Sequence, residues 1–467
     1  MGSSDGAKGG DEAGLVDLAL SHADRAARMG AVKRLTGMAS LARVATLTAD
    51  VEAARLALRS LADAGALAQV AEQASLRAVR KLAVEKLDDE PLLAAVARQA
   101  GDAVVAKMAV KKIADQELLA QVARSAVDPV VSCAAAKRLT DERLLSEALR
   151  REGNTAARRL MVEKTTDQNV LAEVACCAQD VELASAAAAR LASQSLLAQV
   201  ATRAAAPQCR QLAVERLDTA PVLVRVARSD PHPDVRRAAL ERLQSPRLVA
   251  DVARRSDHSD TRALAVGKLD DARVVAAVAQ SDPSGRVRRE ALRKIHEPGE
   301  IARLAAEDPS WRVRRDAVRR LADRELMLWL AAEDLAWQVR AAAVGRLRDQ
   351  QALRKRAAVD PAWQVRRAAL SRVRKQAVLV NSARQDQDWR VRCTAVRRAH
   401  DQRLLANRAQ HDESPAVRAA AVERLQEAAV LHQIARSDGD EAVRRRARER
   451  LDQLAVATGS AAGEPEP

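Results

Sequence analysis

The chain has no phenylalanine and no tyrosine, and only five tryptophans in 467 residues. A thick core built on aromatic rings is therefore excluded, whereas Ala, Leu and Val suit thin, closely packed helices. No apolar run approaches the roughly 18 residues that a membrane-spanning helix needs. The first residues are polar and Gly/Ser-rich, which does not fit a secretory signal. The five cysteines (Cys133, Cys176, Cys177, Cys209 and Cys393) form no CxxC pair and no metal-ligand spacing. They predict reduced thiols in a cytoplasmic protein of bacterial type, and no metal. There is no Gly-rich phosphate loop, no nucleophile elbow and no His-x-x-x-His pair, and the seven histidines fall at unrelated positions. The expectation is a non-enzymatic chain with no catalytic residue and no cofactor.

What the sequence has is a strict repeat. Trp311, Trp337, Trp363 and Trp389 stand 26 residues apart, and Arg314, Arg340, Arg366 and Arg392 follow three residues later. Extended both ways, that step gives 17 anchor positions from Arg28 to Arg444 without insertion or deletion. Three residues past the anchor, 16 of the 17 positions are Ala, with Met161 the exception. A continuous repeat replaces the several globular domains that this length would otherwise imply.

Each unit reads as two helices. In the unit anchored at Arg80, Val79, Ala83, Val84 and Leu87 give one buried face of an anchor helix over about residues 77–87. Asp89 then stands as the N-cap of a shorter companion helix with Leu92, Leu93, Val96 and Ala97 as its apolar stripe. That cap position is Asp, Ser or Thr in 12 of 17 units, Asp115, Asp141 and Ser245 among them, so the cap recurs with the repeat. Such a pair cannot bury its own apolar face and is stable only between neighbours. Leu15, Leu18 and Ala19 read as a lone companion helix opening the array, and Val443, Ala447 and Leu451 as the buried stripe of a terminal helix.

Charge divides the array. Residues 1–200 carry 26 Lys/Arg against 26 Asp/Glu, whereas residues 201–450 carry 52 against 34. Residues 351–400 alone hold 13 basic and 3 acidic side chains, a field that attracts acidic proteins or nucleic acid without choosing between them. The predicted organisation is a flexible leader over residues 1–13, a solenoid over 14–454 and a flexible acidic tail over 455–467. Within the solenoid, 14–203 is neutral and degenerate, and 204–454 is basic and regular.

The pattern Asp-Pro-x-Trp-x-Val-Arg-x-x-Ala, as in Asp308–Ala317 and Asp360–Ala369, resembles the HEAT and HEAT-like repeats of the armadillo-type superfamily. The resemblance implies an all-α, right-handed α-solenoid of about 17 two-helix repeats of 26 residues, shorter than typical HEAT units. It also implies a ladder of charge-assisted hydrogen bonds between neighbouring units, carried here by Asp308, Arg314, Asp334, Arg340, Asp360, Arg366, Asp386 and Arg392. Each of these Asp residues lies six before an anchor, and at 231, 283, 309 and 361 a Pro follows the equivalent Asp, which predicts an N-cap with Pro at the first helical position. Ala54, Ala106, Ser132 and Ala184 at the anchor predict that the first half lacks the ladder. Some HEAT-like families are DNA-repair glycosylases or bilin lyases, but their site residues find no match here.

Candidate contact residues follow from the same register. The Trp row, with Arg315 and Arg367 as cation–π partners, would form a stacking surface if exposed. Arg356 and Ser382 replace apolar companion-helix residues just ahead of Trp363 and Trp389, so core filling is the favoured reading of the Trp row. Trp329 occupies a companion-helix position that is polar in most units. Arg354, Lys355 and Arg356 concentrate the positive charge. Lys or Arg six residues past the anchor in 16 of 17 units reads as a helix C-terminal charge, and also as a cationic stripe. The functional expectation is a scaffold that binds a protein partner, with a nucleic-acid-binding surface over residues 300–400 as the alternative. The oligomeric state is not encoded in any of these features.

Overall fold

The computed structural model describes residues 5–151 and 153–459. Among them every regular element is an α-helix, 34 in all, and no strand occurs. The helices fall where expected, but the companion is not the shorter one: in the Arg80 unit the anchor helix Arg77–Lys86 and the companion helix Glu90–Gln99 are both 10 residues long. Val79, Ala83, Val84, Leu87, Leu93, Val96 and Ala97 are all buried. The residue three past the anchor is buried in all 17 repeats, Met161 included. The small size of Ala suits the column, because a methyl group lets neighbouring helices pack closely, and at Met161 an unbranched chain takes its place.

The pairing of helices differs in phase from the sequence reading. Each companion helix packs along the anchor helix that follows it, so Glu90–Gln99 pairs with Ala103–Lys112. An anchor helix and the companion after it are separated by an extended segment such as Leu87-Asp88-Asp89 and touch far less. The chain therefore opens with a complete hairpin, Asp5–Ser21 against Arg25–Arg34, and not with half a unit. Leu15, Val16 and Ala19 are its buried residues, and Leu18 is exposed. The 34 helices make 17 hairpins.

The leader and tail boundaries also shift. Residues 5–13 belong to the first helix, and Glu12 ties it down by accepting hydrogen bonds from the Thr36 and Gly37 amides and the Ser40 hydroxyl. The last helix runs Glu441–Gly459, with Val443 and Ala447 buried and Leu451 half-buried. The rest of the expected leader and tail, residues 1–4 and 460–467, lies outside the described residues.

Two compact units are present, Met1–Gln244 and Ser245–Pro467. The change in sequence character at residue 203/204 falls inside the first. In each unit the anchor helices form one layer and the companion helices another. In the first unit, successive companion helices as far as Gln194–Arg203 pack closely; those of the second unit stand further apart.

Three polar ladders join successive hairpins. In the first, the anchor Arg forks onto the Asp twenty residues ahead, in the next hairpin. Arg340 places Nε 2.9 Å and Nη2 3.0 Å from the Asp360 carboxylate, while Nη1 donates to the Asp334 carbonyl at 2.8 Å. Arg314–Asp334, Arg366–Asp386 and Arg392–Asp412 repeat that geometry. The side-chain partner is thus not the Asp six residues before, which offers only its backbone oxygen. Nor is that Asp an N-cap: Asp360 ends one helix and its carboxylate accepts the Ala362 amide at 2.9 Å, turning the chain into Trp363–Leu370. Pro231, Pro283, Pro309 and Pro361 accordingly sit in turns, not at the first helical position. The first half is not without rungs either. Arg28 pairs with Asp50 and Arg80 with Asp102, the Asp standing two residues later in register.

The second ladder is the column six past the anchor. Lys86 Nζ donates to the Leu58 and Arg59 carbonyls at 2.7 and 2.8 Å, Arg346 to Val318, and Arg372 to Leu347. These carbonyls lie at or just beyond the C-terminus of the preceding anchor helix, where a positive charge complements the helix dipole. The stripe is therefore structural. The third ladder is a Gln/Glu column at the start of companion helices. Gln116, Gln168, Gln194 and Gln350 accept the amides of Thr140, Ala192, Asp218 and Arg374 in the next connection. Aspartates such as Asp115, Asp141 and Asp349 cap companion helices through their side chains, whereas Ser193, Thr219 and Ser245 do not.

Candidate functional site

All four ladder tryptophans occupy the first position of an anchor helix, at the turn leaving the companion helix. That position precedes the buried stripe by two residues; Val365 and Ala369 face the core, and Trp363 lies at the rim. Trp311 and Trp363 are half-buried, and Trp337 and Trp389 are 38% and 41% exposed. None of the four indoles is buried, which goes against core filling as their role. Ser382 is itself buried, and Arg356 spends its guanidinium on the Ala332 carbonyl at 3.2 Å.

Guanidinium groups cover three of the four rings. Arg315 lies 5.4 Å from the Trp311 centroid and Arg367 lies 5.3 Å from that of Trp363, as the spacing predicts. Two further arginines were not anticipated. Arg312 stacks on Trp311 at 4.7 Å, and Arg390 lies 4.7 Å from Trp363 and 4.8 Å from Trp389. Arg390 is therefore sandwiched between indoles of successive repeats. Its signal in the sequence is a spacing of 27 residues from Trp363, one repeat plus one.

Aliphatic side chains continue the surface. Leu335, in the turn before Trp337, is 95% exposed, and Val359, at the end of the next companion helix, is 61% exposed. Pro309 and Pro361 in equivalent turns are exposed as well. The other candidates are dispersed. Trp329 is 52% exposed on the companion helix Arg324–Glu333, and no described contact joins it to the row. Arg354 and Lys355 lie within the companion helix Gln350–Val359, where Arg354 bonds to the Gln350 carbonyl and Lys355 is exposed. Arg315 is also ion-paired with Asp316 at 2.9 Å. Burial alone would raise the Asp316 carboxyl, but Arg315 and Arg289 hold it below the usual carboxylate range.

Little in this arrangement can do covalent chemistry. A cavity of about 680 Å³ lies between the companion helices Gln194–Arg203 and Ala220–Ser229 of the first unit. Its polar floor is the Arg210–Asp230 pair, closed by two hydrogen bonds of 2.7 and 3.0 Å. A carboxylate locked in a fork of this kind is neither a free acid nor a free base. Among the described residues no helix is long and apolar enough to cross a membrane.

No family model and no curated protein matches the chain. Among solved structures, it is similar to a chain from work on a phosphorylation switch that controls the interaction between cadherin and beta-catenin. The identity is 13% over 95% of this chain and 99% of that chain, with a TM-score of 0.15. A likeness at that score carries no argument, and the helical-repeat fold rests on the helices themselves.

Proposed function

We propose that the chain is a non-enzymatic scaffold of HEAT type that holds a protein partner in a reducing cytoplasm. The observation that carries this reading is the fate of the recurrent charged residues. The repeating Asp, Arg, Lys and Gln columns bond to neighbouring repeats, so the regularity of the sequence serves the stack. What is left over, in four consecutive repeats of the second unit, is an edge of exposed indole, aliphatic and guanidinium groups. Exposed apolar patches of that kind mark interaction surfaces more often than they mark active sites. Five free cysteines are in keeping with the compartment. The nucleic-acid reading is favoured by one observation, the partial exposure of the Trp row beside the excess of basic residues over 351–400. The test is affinity recovery of the full chain from cell extract with and without nuclease. A protein recovered in stoichiometric amount after nuclease treatment is expected. Recovery of nucleic acid alone would overturn the reading.

A further inference from the structure

The edge that runs from Trp311 to Trp389 has a chemistry specific enough to name what it fits. Three kinds of group alternate along it: aliphatic side chains in the turns, indoles at the helix starts, and guanidinium groups stacked on the indoles. Stacking fixes a guanidinium by its face and leaves its in-plane N–H donors pointing away from the ring, the geometry that takes a carboxylate with two hydrogen bonds. Arg312 and Arg367 are exposed and make no ion pair among the described residues, and Arg390 has only a 3.4 Å contact with Asp388 at a 42% exposed side chain. These cations are few, however. Glu307 and Glu333, both exposed, close the companion helices beside the same turns.

We propose that this edge binds an extended acidic segment of a protein partner. Leu, Ile or Val side chains of the segment lie against Leu335, Val359 and the indoles, and its carboxylates meet Arg312, Arg367 and Arg390. The proposal rests on the protein-scaffold reading and deepens it. A polypeptide suits the edge better than a phosphate chain for three reasons. Aliphatic groups offer nothing to a stacked base but do pack on aliphatic side chains. Glu307 and Glu333 would repel a phosphate chain at two of the four repeats, whereas a peptide places its charges only where the arginines are. Trp363 already carries two guanidinium groups over its ring, which a base would have to displace. Adjacent helices stand about 8–10 Å apart, and an extended chain advances about 3.3 Å per residue. Three residues per repeat therefore keep pace with the edge, and about a dozen cover its four repeats.

The experiment uses the full chain and a fluorescein-labelled 12-residue peptide of repeating Leu-Glu-Ser. A matched Leu-Gln-Ser peptide and an oligothymidylate of equal length serve as competitors, with binding read by fluorescence anisotropy. The Glu peptide is expected to bind at least tenfold more tightly than the Gln peptide and the oligonucleotide. Arg367→Glu with Arg390→Glu should weaken it at least tenfold, and so should Trp337→Ala with Trp389→Ala. Because these side chains are exposed or partly exposed, the helical circular dichroism signal and melting temperature of each variant serve as the check on folding. Single Arg367→Glu, at an exposed position, stands in if a double variant unfolds. Absence of peptide binding, equal affinity for the Gln peptide, tighter binding of the oligonucleotide, or unaltered affinity in folded edge variants would each overturn the proposal. If it falls while a nuclease-resistant protein partner is still recovered with the chain, only the edge assignment is lost and the scaffold reading stands.

Discussion

Replacing Arg340 by Ala removes one buried rung of the inter-repeat ladder. Arg340 is 8% exposed and its partner Asp360 only 2%. The substitution deletes two hydrogen bonds to the Asp360 carboxylate and one each to the Asp334 and Leu335 carbonyls. The lost bonds matter less than what is left behind, a buried carboxylate whose sole remaining described donor is the Ala362 amide. Breaking a buried pair in this way costs about 3–5 kcal/mol. Lysine should recover part of the loss, since it restores charge without the fork. Combining Arg340→Met with Asp360→Asn should be less damaging than Arg340→Met alone, because the stranded charge is gone while Asn keeps an acceptor for Ala362. Hydrogen exchange of the Trp337–Val344 and Trp363–Leu370 amides, alongside urea unfolding by circular dichroism, reads the local and global effects separately, which matters in a repeat array that need not unfold in one step. A loss below about 1 kcal/mol for Arg340→Ala would refute the view that the ladder holds the hairpins together, since that is no more than an exposed ion pair contributes.

Acid should loosen the second unit through the same ladder. Burial alone would raise the Asp438 carboxyl, but the Arg418 guanidinium and the Asp440 amide hold it below its ordinary value. A depressed folded-state value means stability that is present above the unfolded value near pH 4 and is lost as pH falls from there through the folded one. Arg418→Met should flatten that part of the stability profile, and an unchanged acid profile would contradict the assignment. Trp363→Ala should cost about 1–2 kcal/mol, between an exposed ring and the roughly 3–5 kcal/mol of a core aromatic, as measured by urea unfolding; a core-sized loss would return the Trp row to the interior. Amides of Ala103–Lys112 and Pro129–Arg138, whose anchors Ala106 and Ser132 make no rung, should exchange faster than those of Trp363–Leu370, and equal protection would count against the ladder as the source of local stability.

The helices, their lengths and their buried faces were legible because a 26-residue period repeats the same helical pattern 17 times, and noise at one unit is corrected by the others. The phase of the hairpins was not legible. Spacing between helices says nothing about which connection is tight, and the turn signal at Asp360-Pro361 reads in the sequence as a helix cap with Pro at the first helical position. The Asp–Arg column was visible as residue types, but a 26-residue repeat makes an Asp six before and an Asp twenty after equally regular, so the partner had to come from geometry. The Gln column at 116, 168, 194, 350, 376 and 402 was in plain register and went unread because Gln carries no charge to draw the eye. The Trp row shows the opposite failure. Arg356 and Ser382 pointed to missing core volume, yet none of the four indoles is buried. Arg390, which joins two of the rings, belongs to the following repeat and no local window contains both.

The claim that this array serves a protein partner is tested most directly by titrating the recovered partner and an oligothymidylate against the same full chain over a range of salt concentrations. The protein should bind more tightly at every concentration, and its affinity should fall only gently with salt. An oligonucleotide that binds more tightly than any protein recovered, with log affinity falling linearly and steeply against log salt, would contradict it.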